Sequence, residues 1–74
     1  MVKNNPAQSY NKDIAKTFTT TYALNMRKGP GLQNAVITVI PKNSQVKCDG
    51  YYTNEWYYVK YGTYTGFCHR DYLK

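Results

Sequence analysis

From Thr17 onward, apolar and polar positions alternate with a period of two along most of the chain. Thr17-Phe18-Thr19-Thr20-Thr21-Tyr22 is β-branched and aromatic, the composition that fits a pleated strand. Leu24 and Met26 then alternate with Asn25 and Arg27, which turns Leu24 and Met26 inward. Lys28-Gly29-Pro30-Gly31 predicts a turn, because glycine takes positive φ and proline fixes the bend. Ala35 to Ile40 predicts a short apolar strand, closed by Pro41-Lys42-Asn43-Ser44. Between Gln45 and Asp49, Val46 and Cys48 face one way, and Gln45, Lys47 and Asp49 face the other. Thr53-Asn54-Glu55 is a hairpin loop by composition.

Trp56 to Tyr61 predicts the next strand, with Tyr57, Val59 and Tyr61 opposite Trp56, Tyr58 and Lys60. Gly62-Thr63 turns it into Tyr64-Thr65-Gly66-Phe67-Cys68, where Cys68 is expected inward and Phe67 and His69 outward. Arg70-Asp71-Tyr72-Leu73 predicts a single 3₁₀ turn, with Leu73 as a plug. No segment carries a helical period. Short strands with turn signals every eight to twelve residues predict an all-β barrel or sandwich of five to seven antiparallel strands. The pattern by itself does not choose among barrels.

Residues 1–16 differ from the rest. They hold Asn4, Asn5, Pro6, Gln8, Ser9 and Asn11 with three lysines, and Ile14 is the one branched aliphatic residue besides Val2. That composition predicts a polar linker or irregular N-terminal arm over 1–16, ahead of a domain over 17–74. Met1 is open to two readings, a boundary in a larger parent or an internal start releasing this module separately. The opening Met1-Val2-Lys3-Asn4-Asn5-Pro6 turns polar at once, unlike a secretory signal.

Size and charge narrow the function classes. Seventy-four residues allow one small domain whose core stabilises it modestly. The longest apolar stretch, Ala35 to Ile40, is interrupted by Thr38 and is far too short for a spanning helix, so no membrane partner is expected. Ten Lys and Arg against four Asp and Glu leave a net charge of +6. A basic surface raises encounter rates with polyanions and weakens with salt, but no run of adjacent basic residues exceeds Arg27-Lys28.

Cys48 and Cys68 are too few for a disulfide-dense scaffold. One bridge is arithmetically possible; two buried thiols packed as small hydrophobes is the favoured reading. With His69 they make only three soft ligands, short of a structural zinc site, so no metal or cofactor is expected. Cys68 and His69 are neighbours on a strand and point to opposite faces, so they do not form a nucleophile–base pair. Asp13, Glu55 and Asp71 have no reason to converge as a glycosidase pair, and Gly29-Pro30-Gly31 lacks the Lys-Ser/Thr of a phosphate loop. A binding module is expected, not an enzyme.

Three blocks carry a family resemblance. Leu24-Asn25-Met26-Arg27-Lys28-Gly29-Pro30 resembles the L-N-V-R-x-G-P opening of bacterial Src-homology-3 (SH3-like) domains. Trp56-Tyr57-Tyr58-Val59-Lys60-Tyr61 resembles their W-x-x-V-x-Y strand, and Gly66-Phe67-Cys68 with Asp71-Tyr72-Leu73 resembles their G-[YWF]-V-x-x-x-Y-L ending. The resemblance covers about Tyr22 to Leu73 and implies a small SH3-like β-barrel. Cys68 stands where Val is common, and Tyr51-Tyr52-Thr53-Asn54-Glu55 replaces a usual Gly before the Trp. Eukaryotic signalling members pair an acidic loop with proline-rich ligands, and only Asp49, Glu55 and Asp71 are available for that here.

The resemblance implies a non-catalytic module that binds peptidoglycan, its glycan or its stem and cross-bridge peptides, at the extracellular face of the bacterial wall. It further implies a covalently linked hydrolase, as in phage endolysins and autolysins, with anionic teichoic polymers as further partners. A phage-derived chain would be made in the host cytoplasm and released at lysis. Eight Lys, seven Asn and nine Tyr suit an A/T-rich genome, such as a low-GC Gram-positive bacterium or its phage.

Alternation turns half of the clustered tyrosines outward, where they offer flat apolar area with a polar tip at little entropic cost. The expected ligand contacts are Tyr22, Tyr51, Tyr52, Trp56, Tyr58 and Tyr72, supported by Asn25 and Arg27, with His69 at the rim. Tyr57 and Tyr61, beside Val59, are expected to cover the core. The alternative is a single-stranded nucleic-acid barrel, since basic charge with interleaved aromatics also describes such a groove.

Overall fold

A computed structural model describes residues 8–74; the first seven positions, with Met1 and the polar start of the expected arm, lie outside the described residues. Seven strands form one antiparallel sheet bent around a single core. They are β1 (Ser9–Tyr10), β2 (Thr17–Thr19), β3 (Leu24–Arg27), β4 (Val36–Ile40), β5 (Gln45–Thr53), β6 (Trp56–Tyr61) and β7 (Tyr64–His69). The order is β1-β5-β6-β7-β3-β4, with β2 also paired to β5. Two 3₁₀ turns complete the chain, Lys12–Ile14 and, as expected near the C-terminus, Arg70–Tyr72. Among the described residues there is no helix long and apolar enough to cross a membrane.

The alternating positions build the core as expected. Leu24, Met26, Ile40, Val46, Cys48, Val59 and Cys68 are buried together with Phe18, and Tyr57, Tyr61 and Leu73 pack around them. Both cysteines are free and buried. Burial pushes the Cys68 thiol up to about 12. Burial also raises Cys48, although the Gly50 N–H donates to its sulfur at 3.3 Å and works the other way. Gly66 shows why a side chain is missing between Phe67 and Thr65. A Cβ there would come within 2.6 Å of Met26 Cγ and 2.7 Å of the Arg27 carbonyl oxygen.

Thr20 is the one buried polar residue among those described. Its hydroxyl donates to the Pro41 carbonyl at 2.7 Å and accepts the Ser44 N–H at 2.9 Å, so burial leaves neither function unpaired. That pair of bonds fastens the Pro41–Ser44 turn to the end of β2.

Three features depart from the sequence expectation or go beyond it. Residues 8–16, expected as linker or irregular arm, are built against β5: Ser9 and Tyr10 pair with Tyr52 and Tyr51, and Ile14 packs on the core. Phe67 lies on the outer face as expected, and what the alternation does not show is that it is covered there, only 8% exposed. The apolar strand β4 sits at the sheet edge and leaves Val36 and Val39 in solvent, with only Ile40 fully buried.

A bulge in β5 controls where its tyrosines go. The register shifts between Cys48 and Tyr52, and Gly50 there has φ +104°, open to glycine and strained for other residues. Tyr10 and the Asn11 carbonyl lie directly over Gly50, at 2.7 and 3.0 Å from where a Cβ would sit. The shift takes up two extra residues, so the alternation is kept: Tyr51 stays outward and Tyr52, half-buried, stands opposite Tyr57.

Candidate functional site

The outer face of the β6–β7 hairpin carries the chemistry. Tyr57, Val59 and Tyr61 turn towards the core, so Trp56 and Tyr58 project from the other side of β6. Across the hairpin Trp56 stands opposite His69 and Tyr58 opposite Phe67. Both pairs are in ring contact, with centroids 5.2 Å apart for Trp56–His69 and 5.1 Å for Tyr58–Phe67. The result is a two-rung aromatic ladder.

Arg27 on β3 divides that ladder. It lies opposite Phe67, and its Nη1 donates to the carbonyls of Leu32 (3.1 Å) and Asn34 (2.9 Å). The loop that follows β3 is thereby held down, with Lys28 N–H also closing on the Ala35 carbonyl at 2.9 Å. One groove forms on each side of it.

The first groove, of about 540 Å³, has Trp56 and His69 in its lining. Asn25 and Arg27 of β3, Leu32 of the loop, and Asp71 and Tyr72 of the last turn also line it. The volume lies within the range typical of ligand clefts. His69 organises this groove. Its Nδ1 accepts the Asp71 N–H at 3.2 Å, its ring meets Trp56 edge-on at 82°, and Tyr72 lies 5.9 Å away. The Asp71 carboxylate lies 3.8 Å from the same nitrogen. The Arg70 N–H donates to the Glu55 carbonyl at 2.9 Å and ties the last turn to the hairpin beside Trp56.

Of the expected contacts, Asn25, Arg27, Trp56 and Tyr72 line this first groove. Tyr22 stands beside it, edge-on to Tyr72 at 5.9 Å. Tyr58 belongs to the second groove, with Phe67. Tyr51 pairs with Tyr10, ring to ring at 5.1 Å, and Tyr52 lines a small cleft with Asn11, Ile14, Tyr57 and Arg70. Tyr51, taken up by Tyr10, and Tyr52, on the Tyr57 side of the sheet, are thus not part of the aromatic ladder. His69, expected at the rim, lines the groove itself, and Leu32 and Asp71 line it without having been singled out from the sequence. The signal for His69 is its place opposite Trp56 across a two-residue turn; Leu32 and Asp71 carry none.

The family model described as bacterial SH3 domain matches residues 23–74. No curated protein matches the chain. The solved structure of NlpC2 from Trichomonas vaginalis is similar with a TM-score of 0.75 at 22% identity, over 80% of this chain and 22% of that one. At that identity the likeness shows the fold alone, and this chain spans about a fifth of NlpC2's length. The elements before Ala23, including β1 and β2, lie ahead of the matched region. With its L-N-M-R-K-G-P opening, its Trp56 strand and its Tyr72-Leu73 ending in place on an SH3-like sheet, the chain belongs to the bacterial SH3 domain family, a family of cell-wall-binding modules.

Proposed function

We propose that this domain is a non-catalytic module that binds peptidoglycan in the Trp56–His69 groove and brings a covalently linked wall hydrolase to its substrate. The observation that carries the reading is the groove itself. Rigid aromatic surface from Trp56, His69 and Tyr72 lies beside the polar side chains of Asn25 and Asp71 in one open cleft. Sugar rings offer C–H faces to such surfaces, and peptide amides offer donors and acceptors to such side chains. Neither cysteine is suited to nucleophilic work, since both thiols are held neutral at physiological pH by burial.

Function then follows from effective concentration. A module of modest affinity for a repeating wall unit keeps its tethered partner near the next bond to be cut. The parent is a hydrolase of the endolysin or autolysin kind, acting at the extracellular face of a Gram-positive wall. The +6 charge supports attraction to anionic teichoic polymers as a background term.

Sedimentation of the full chain with nuclease-treated cell walls, against a single-stranded oligonucleotide in parallel, tests the reading. The expected result is wall binding that survives moderate salt, with weak, salt-sensitive binding to the oligonucleotide. The reverse ranking favours a nucleic-acid barrel instead.

A further inference from the structure

On the far side of the Arg27-held loop lies a second groove of about 680 Å³, in which Tyr58 and Phe67 face Lys28, Gln33 and Gln8. We propose that this groove is a separate subsite for the free carboxylate end of a wall peptide. The inference rests on the wall-binding reading above and adds a ligand class to it.

Charge separates the two grooves. Asp71 lines the first, whereas among the described residues no acidic side chain lines the second and Lys28 stands exposed at its edge. Lys28, the one cation among the described residues there, matches a carboxylate, and amide-bearing Gln33 and Gln8 match the peptide amides that follow it. A polyphosphate would call for a row of cations, which the described residues of the groove do not supply. Tyr58 and Phe67 supply the apolar surface on which a short side chain such as a methyl group rests.

The groove is preformed. Asn34 Nδ2 donates to the Gly31 carbonyl at 3.2 Å while its own carbonyl accepts from Arg27. A Cβ on Gly29 would meet the Asn34 side chain at 2.7 Å, so the loop is closed tightly upon itself. Little ordering is left for the ligand to bring about. Trp56 and Tyr58 lie two residues apart on one strand, about 6.5 Å, so a single wall fragment can lie across both grooves.

The test is a titration of the ¹⁵N-labelled full chain with a disaccharide–peptide fragment of peptidoglycan. One version carries its free C-terminal carboxylate and the other is amidated there. The expected result is shifts at Lys28 and Gln33 with the free acid only, and an affinity loss of about tenfold for the acid in Lys28→Met. The amidated fragment binds wild type and Lys28→Met equally. Lys28 is exposed, so the substitution leaves the fold intact. Binding that ignores both amidation and Lys28→Met overturns the subsite and leaves the Trp56 groove standing. Displacement of the acid from Lys28 by polymeric glycerol phosphate at equal charge concentration overturns it in favour of a polyanion site. No binding of either fragment overturns both readings.

Discussion

Arg27 donates through Nη1 to the Asn34 carbonyl at 2.9 Å, and that bond, with its partner to Leu32, decides that the aromatic ladder is read as two grooves and not one. Arginine suits the task because its planar head reaches two carbonyls at once, and lysine offers only a point charge. Arg27→Lys is expected to speed hydrogen exchange at Lys28 and Asn34. It should lower the unfolding free energy by about 1–2 kcal/mol, the scale of a hydrogen bond to a charged group. Denaturant titration and exchange on the same sample check both. Unchanged exchange in the loop would show that Arg27 does not hold it.

The aromatic rungs are predicted to act in binding more than in folding. Trp56→Ala and Tyr58→Ala should each lower wall binding by about tenfold, the scale of a hot-spot residue, while melting stays cooperative. Tyr58→Ala uncovers Phe67 and so costs the more stability of the two, read as the larger drop in Tm. Wall decoration unchanged in both variants would remove the aromatic surface from the account.

Alkaline stability reports on the buried thiols. Both folded-state values lie above the ordinary 9.0, that of Cys68 at about 12. The unfolded chain therefore loses these protons first, and their stabilising contribution is complete below pH 9. It falls away as pH rises from 9 towards 12. Cys68→Val, the residue common in the family, should fold and show a shallower loss of stability across that window in urea titrations. A slope unchanged from wild type would assign the alkaline loss to other groups.

The N-terminal segment is expected to belong to the folding unit. Tyr10 covers Gly50, the Asn11 N–H donates to the Gly50 carbonyl at 2.9 Å, and Ile14 reaches the core. A chain beginning at Thr17 should lose about 2–3 kcal/mol of stability, the value of uncovering a residue such as Ile with its neighbours. Gly50→Ala should cost about 1–3 kcal/mol because of its positive φ and the overlying ring. Equal stability of the truncated chain by chemical denaturation would place the boundary at Thr17 instead.

Much of this was legible in the chain, and the exceptions share a cause. Leu24, Met26, Val46, Cys48, Val59 and Cys68 could be assigned inward from alternation alone, and the structure buries all six. The pairing of Trp56 with His69 also follows from sequence once the Gly62-Thr63 turn fixes Tyr61 opposite Tyr64, because the register then runs unbroken. Tyr51 and Tyr52 lie apart from the Trp56 groove because two extra residues in β5 shift its register against β6 while the in–out alternation runs on, and a bulge of that kind leaves no mark on the hydrophobic period. The segment 8–16 was hidden by its polar composition. It is held largely by backbone pairing with β5, which side-chain type does not report. The burial of Phe67 depends on Tyr58, which the same register places opposite it, and on a loop folded back over the sheet, which lies beyond the reach of a strand pattern.

The most direct measurement is a saturation isotherm of the full chain on nuclease-treated, teichoic-acid-stripped peptidoglycan, run beside Trp56→Ala at moderate salt. The account predicts saturable binding by the native chain and a loss of about tenfold in the variant. Equal isotherms for the two proteins, or no binding by the native chain, would contradict it.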